Sequence, residues 1–236
     1  MFLTDYFSEN ENGIKFSRRQ SSDFAKKIAN DFNPIHNEDA KRFCVPGDLL
    51  FSILLYKKGL SQNMRFEFSG MVTEDVTLKI PASTEIKIAI CGDNGKEYLS
   101  VSQEGEVTNK PDVIECLVRQ YVAFSGQTFP HILVPLMEKH NVMINPSRPF
   151  VVYESMDIEF DRMNFSTLSL EMNNVELDVI GKRGNASFKF ILLENGIAVG
   201  SGVKNMVLSG LRPYEQNKID ELIDIYNSAK QRTLNS

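Results

Sequence analysis

Apolar positions in the first part of the chain recur at helical spacing. Phe24, Ala25, Ile28 and Ala29 share one face, which predicts an amphipathic helix capped by the side-chain oxygens of Ser21, Ser22 or Asp23. A short strand over Ile14–Ser17 precedes it, and the helix ends near Phe32, because Pro34 disfavours the α conformation at Asn33. A second short helix is expected from Asn37, with Glu38 and Asp39 in its first turn and Lys41 and Arg42 in its last, each suited to the helix dipole. Gly47–Tyr56 is apolar nearly all round, the pattern of a helix buried on every side, and Lys57-Lys58-Gly59 closes it.

After that helix the period falls to two. Phe66 and Phe68, then Val76, Leu78 and Ile80, then Ile86, Ile88 and Ile90 alternate with other residues; Asp93-Asn94-Gly95 makes a turn, and a closing strand runs from Tyr98 to Val107. These are antiparallel strands with one dry face. Thr108–Asp112 is polar, contains Pro111 and reads as a linker.

The order then repeats. Gly126–Lys139 takes the place of the buried helix, and strands follow over Phe150–Phe160, then over Leu168–Met172 with Val175, Leu177 and Val179. Phe188, Phe190 and Leu192 lead to the turn Glu194-Asn195-Gly196 and to a last strand over Ile197–Leu208. The two Asn-Gly turns, each followed by a closing strand, are the clearest internal echo. Pro213 suits the first turn of a C-terminal helix whose Ile219, Leu222, Ile223 and Tyr226 form an apolar stripe. The expected architecture is α+β, with an antiparallel sheet wrapped around a central helix, present twice. Residues 1–110 and 111–212 are the two units, and residues 213–236 are a C-terminal helix and tail.

Composition narrows the function classes. A chain of 236 residues with 42% apolar and 24% charged positions has the material for a packed core. A formal charge of −5, with the basic pairs scattered, gives no footprint for a nucleic-acid backbone. The N-terminal residues lack the basic and apolar runs of an export signal, and no stretch approaches the ~18 apolar residues of a membrane span, so a cytoplasmic protein is expected. Cys44, Cys91 and Cys116 are odd in number and far apart, and with His36, His131 and His140 they show no zinc-ligand spacing, so neither a metal nor a disulfide is expected.

The segment that carries chemistry is Asp31-Phe32-Asn33-Pro34-Ile35-His36, where a carboxylate, an amide and an imidazole lie on one tight turn. Histidine titrates in the useful range, and a neighbouring carboxylate orients it or shares a water with it. The plainer alternative is that Asp31 and Asn33 are ordinary loop residues before a proline and that His36 caps a helix starting at Asn37. His131 and His140 read as structural.

This segment, with Ala29 before it, Ala40 after it and the buried helix beyond, resembles the MaoC-like (R)-specific enoyl-CoA hydratases, whose hallmark is D-x-N-P-[IL]-H inside a hot-dog fold. The resemblance covers residues 14–60, and the repeat makes the whole similar to bacterial double hot-dog proteins. It implies reversible hydration of a 2-enoyl thioester, with Asp31 and His36 as catalytic residues, Asn33 bracing the turn on the substrate-binding side, and the Gly47 N–H polarising the thioester carbonyl. It also implies an acyl-CoA-type partner, with coenzyme A as part of the substrate, no further cofactor, and a monomer built as a pseudo-dimer or a homodimer. Where that group opens the central helix with a His-Gly pair, this chain reads Cys44-Val45-Pro46-Gly47-Asp48. Pro46 removes one donor there, and the Asp48 carboxylate would compete with a developing oxyanion for the helix amides. The motif lies in the first unit, whereas double hot-dog hydratases usually carry it in the second. A non-catalytic acyl-CoA-binding module and an acyl-CoA thioesterase are the alternatives on the same scaffold.

Overall fold

The computed structural model describes residues 2–83 and 85–234. After a 3-10 turn at Phe2–Tyr6 come β1 (Ser8–Asn10), β2 (Gly13–Lys15), α1 (Arg18–Lys27), α2 (Gly47–Lys58), β3 (Leu60–Phe68), β4 (Leu78–Lys79), β5 (Lys87–Gly92) and β6 (Glu97–Thr108). The second half runs α3 (Pro111–Gly126), α4 (Leu133–Lys139), β7 (Val142–Met143), β8 (Val151–Phe160), β9 (Ser169–Ile180), β10 (Arg183–Glu194), β11 (Ile197–Ser209), β12 (Arg212–Pro213) and α5 (Gln216–Leu234). Among the described residues no helix is long and apolar enough to cross a membrane.

Instead of two separate large sheets, the strands form one ten-stranded antiparallel sheet in the order β1-β2-β4-β5-β6-β3-β8-β11-β10-β9, beside a two-stranded β12-β7 ribbon. The halves meet where β3 pairs with β8, from Asn63↔Glu159 to Glu67↔Ser155. Period-two alternation sets a strand's faces but not its lateral neighbour, so the sequence pattern is silent on this join. The helices α2 and α3 pack against each other within one apolar core. There the Phe51 ring lies 5.0 Å from Phe66 on β3 and 4.9 Å from Tyr121 on α3.

The buried helix is as its composition predicts: Leu49 to Leu55 of α2 are all buried, and Gly59 closes it with its N–H on the Leu55 carbonyl at 2.9 Å. Several other expectations change. The first helix starts earlier, because Ser17 and Gln20 form a reciprocal capping box at 3.1 and 3.0 Å, while Ser21 and Ser22 are buried inside the helix. No helix forms at Asn37–Arg42. Asn37 is extended (ψ 145°), and the Arg18 guanidinium takes the Glu38 and Ala40 carbonyls at 3.1 and 2.9 Å.

The third change is the largest. Residues 108–112 are not a linker: Pro111 opens α3, and Val113, Ile114, Leu117, Val118, Tyr121 and Val122 form its buried stripe. The second central helix therefore precedes Gly126 instead of following it, and Gly126–Lys139 supplies only a turn and the short α4. The Gly47↔Gly126 correspondence fails with it, since Gly47 begins α2 and Gly126 ends α3. At the C-terminus Pro213 pairs with Val142 in the ribbon, and α5 begins after it, burying Ile219 and Tyr226 as its stripe predicts.

The β10–β11 hairpin turns through Asn195 (φ 53°) and Gly196 (φ 79°), the pair of positive angles an Asn-Gly turn supplies. Next to it, the Glu194 carboxylate accepts the Ser166 N–H at 2.7 Å and meets Arg162 at 2.6 Å. The Ser166 amide, then Arg162, hold its pKa down at about 2 against an ordinary 4.5. A lowered carboxylate stabilises the fold above its unfolded pKa, and that contribution is lost as pH falls from 4.5 through about 2. Glu194→Gln is accordingly expected to flatten the acid limb of stability over that window, read by chemical denaturation at stepped pH. An unchanged limb would show that Glu194 is not responsible.

Candidate functional site

Helix α1 ends at Lys27, and the chain leaves it through Asn30, whose φ of 53° is a left-handed conformation that asparagine tolerates. The Asp31 N–H returns to the Ala25 carbonyl at 2.8 Å. Two side-chain turns follow in series: Asp31 Oδ1 accepts the Asn33 N–H at 2.9 Å, and Asn33 Oδ1 accepts the Ile35 N–H at 3.2 Å. A single 3-10 turn, Pro34–His36, then brings the imidazole back over the carboxylate. His36 Nε2 lies 3.7 Å from Asp31 Oδ2.

His36 is buried, and its Nδ1 sits 2.7 Å from the Cys44 carbonyl oxygen. A carbonyl only accepts, so in the neutral ring Nδ1 carries the proton and Nε2 presents its lone pair toward Asp31. The gap of 3.7 Å is too long for a hydrogen bond and short enough for one water to bond both groups. Asn33 braces the turn. Burial pushes the Cys44 thiol up to about 12, so it stays protonated near neutrality and is not a nucleophile.

At the start of α2 the Pro46 carbonyl takes the Leu49 and Leu50 amides at 3.0 and 3.2 Å, which leaves the Gly47 and Asp48 N–H groups without an intrahelical acceptor. The Gly47 backbone lies against the Tyr153 ring, whose Cδ1 would stand 2.8 Å from a Cβ at that position. The expected competition from Asp48 is not seen. Its carboxylate points to the second half of the chain, where Oδ2 accepts the Ser125 hydroxyl at 2.7 Å. Lys204 of β11 donates to the same Ser125 Oγ at 2.5 Å and stands 4.3 Å above the centre of the Tyr153 ring. Asp48 Oδ1 is buried without a hydrogen-bond partner among the described residues. Burial raises the Asp48 carboxyl above the usual range, while Lys204 and the Ser125 bond pull it back. The hydroxyls of Tyr121 and Tyr153 bond each other, and burial holds both phenols well above their ordinary value.

The C-terminal end of α3 is wedged against the motif. A Cβ on Gly126 would be driven into the Ala29 carbonyl and would come within 3.2 Å of the Asp31 nitrogen. From outside, Tyr226 of α5 donates to the Asn30 carbonyl at 3.2 Å, with its ring edge-on to Phe32 at 5.6 Å. Burial, and then the Asp31 charge, lift its phenol to about 12. His131, expected inside a helix, is exposed in the turn before α4, and His140 is exposed at the end of α4; neither joins the site. Among the described residues no group of three or more His, Cys, Asp or Glu is placed to hold a metal ion.

A family model described as "Protein of unknown function (DUF3581)" matches residues 1–217. The chain belongs to that family. Comparison with curated proteins returns no match. Among solved structures it is similar to a conserved protein of unknown function with hot dog fold from Alicyclobacillus acidocaldarius, with 7% identity, 91% of this chain and 99% of that chain covered, and a TM-score of 0.45. It is similar to the acyl-CoA thioesterase II TesB2 of Mycobacterium marinum at 10% identity, covering 91% and 100% of the two chains with a TM-score of 0.40. The full-length peroxisomal multifunctional enzyme type 2 of Drosophila melanogaster matches at 13% identity over 81% of this chain and 47% of that one, with a TM-score of 0.44.

Sequence reasoning missed Ser125, Lys204, Tyr121 and Tyr153. Tyr121 and Ser125 continue the i, i+4 stripe of α3 from Val113 and Leu117, so reading that helix would have found them. Lys204 sits in a strand where alternation assigns it a face, but nothing local pairs it with a carboxylate 156 positions earlier.

Proposed function

We propose that the chain acts on an acyl thioester and reversibly hydrates a 2-enoyl-CoA, as a double hot dog with units at residues 1–110 and 111–212. The observation that carries this reading is the 3.7 Å gap between a tautomer-fixed imidazole nitrogen and a carboxylate on one turn. A water held there loses a proton to His36 Nε2 while its oxygen bonds to the β-carbon of the enoyl group. The π electrons move toward the carbonyl oxygen as an enolate, and the α-carbon then takes a proton back from the imidazolium. The Gly47 N–H at the start of α2, with the helix dipole behind it, supports the negative oxygen.

The duplicated unit is supported by the element order, a buried helix followed by antiparallel strands in each half, with β3 and β8 edge to edge. A second reading, an acyl-CoA-binding module without turnover, draws on the Tyr153 ring packed against Gly47.

Purified protein with crotonyl-CoA should show loss of the conjugated absorbance. Retention of acyl-CoA in native mass spectrometry with no turnover would replace hydration with the binding module, and release of free CoA from a saturated acyl-CoA would replace it with a thioesterase.

A further inference from the structure

The chain Lys204–Ser125–Asp48 has no part in the steps above. It joins β11, α3 and α2, and all three side chains are buried. Asp48 lies in the first turn of α2, next to the Gly47 amide. An unbalanced carboxylate there would oppose negative charge on a thioester oxygen held by that amide, and burial would make the opposition strong. The other groups whose charge Asp48 feels are Asp31 and His36 on the motif turn, and its own charge reaches the Tyr121 and Tyr153 phenols. Within this set the side chain that reaches Asp48 through one serine hydroxyl is Lys204, with its amine on Ser125 Oγ and that hydroxyl on Asp48 Oδ2.

We infer that Lys204 is a positioning residue for the thioester oxygen: through Ser125 it balances the Asp48 carboxylate and leaves the Gly47 amide and the α2 dipole free to hold the charge that develops there. This rests on the hydration reading. It differs from a purely structural role in one respect, because a cross-link between halves would be lost with either partner, whereas a charge balance is restored when both charges are removed together.

The test compares crotonyl-CoA hydration by the full chain as wild type, Lys204→Met, Asp48→Asn and the Asp48→Asn/Lys204→Met double variant, at a temperature where circular dichroism shows each folded. Lys204→Met is expected to lose on the order of 10² in kcat, the effect of weakening one oxyanion donor, with a smaller change in KM. The double variant is expected to recover at least about tenfold over Lys204→Met. If Lys204→Met does not fold, the double variant, which leaves no buried charge unpaired, is compared with wild type and should lie within about tenfold of it. A double variant no faster than Lys204→Met, or about a hundredfold below wild type, overturns the inference while wild-type turnover leaves the hydration reading standing. A wild type that does not hydrate the substrate overturns both.

Discussion

Replacing His36 by alanine is expected to slow crotonyl-CoA hydration by about 10²–10⁴-fold, and Asp31→Asn should fall in the same range, the usual worth of a positioned acid or base. The two act on one water across 3.7 Å, so their effects should not add: the double variant is expected near the worse single variant. His36→Ala also removes the donor from the Cys44 carbonyl and leaves that group short of a bond in a buried place, at about 1–3 kcal/mol of stability. Rates are therefore to be read alongside denaturation curves, with His36→Gln as a partner variant that can keep a donor near the carbonyl. Activity that survives both Asp31→Asn and His36→Ala would remove the water-holding pair from the mechanism.

Gly126→Ala is the substitution expected to damage fold and site together. The added methyl meets backbone, not a side chain that can swing away: the Ala29 carbonyl, its carbon at 2.8 Å, and the Asp31 nitrogen at 3.2 Å. Either α3 or the motif turn must shift, at about 3 kcal/mol, the upper part of the usual overpacking range. A shift of the turn of about 1 Å would misplace Asp31 against His36 and cost roughly 10²-fold in rate even in the folded fraction. Urea denaturation reads the first effect and single-substrate kinetics the second. Wild-type stability and rate in this variant would mean that α3 and the motif are not in close contact.

Tightly local features were legible from the residues alone. The buried helix over Gly47–Lys58 follows from a run with no polar face, and the turn Asp31–His36 follows from Asn and Asp side chains that bond their own backbone two residues on. Boundaries failed where a distant group intervened. Arg18 holds the Glu38 and Ala40 carbonyls that a helix at Asn37 would have used, and the 3-10 turn stops before it. The linker reading at residues 108–112 failed for another reason: polar residues around Pro111 suit a helix start as well as a loop, and the stripe from Val113 onward decides between them.

The residues alone specified the amphipathic first helix, the buried helix over Gly47–Lys58, the alternating strands, the two Asn-Gly hairpins and the turn that carries Asp31, Asn33 and His36. These depend on interactions over a few residues, where side-chain type and spacing leave little freedom. Tertiary structure alone decided that the strands join into one sheet through β3 and β8, that Gly126 presses on the motif, and that Asp48 faces Lys204 through Ser125. Those arrangements arise when two halves bury their apolar faces in a common core, and chain proximity carries no record of which groups that burial brings together.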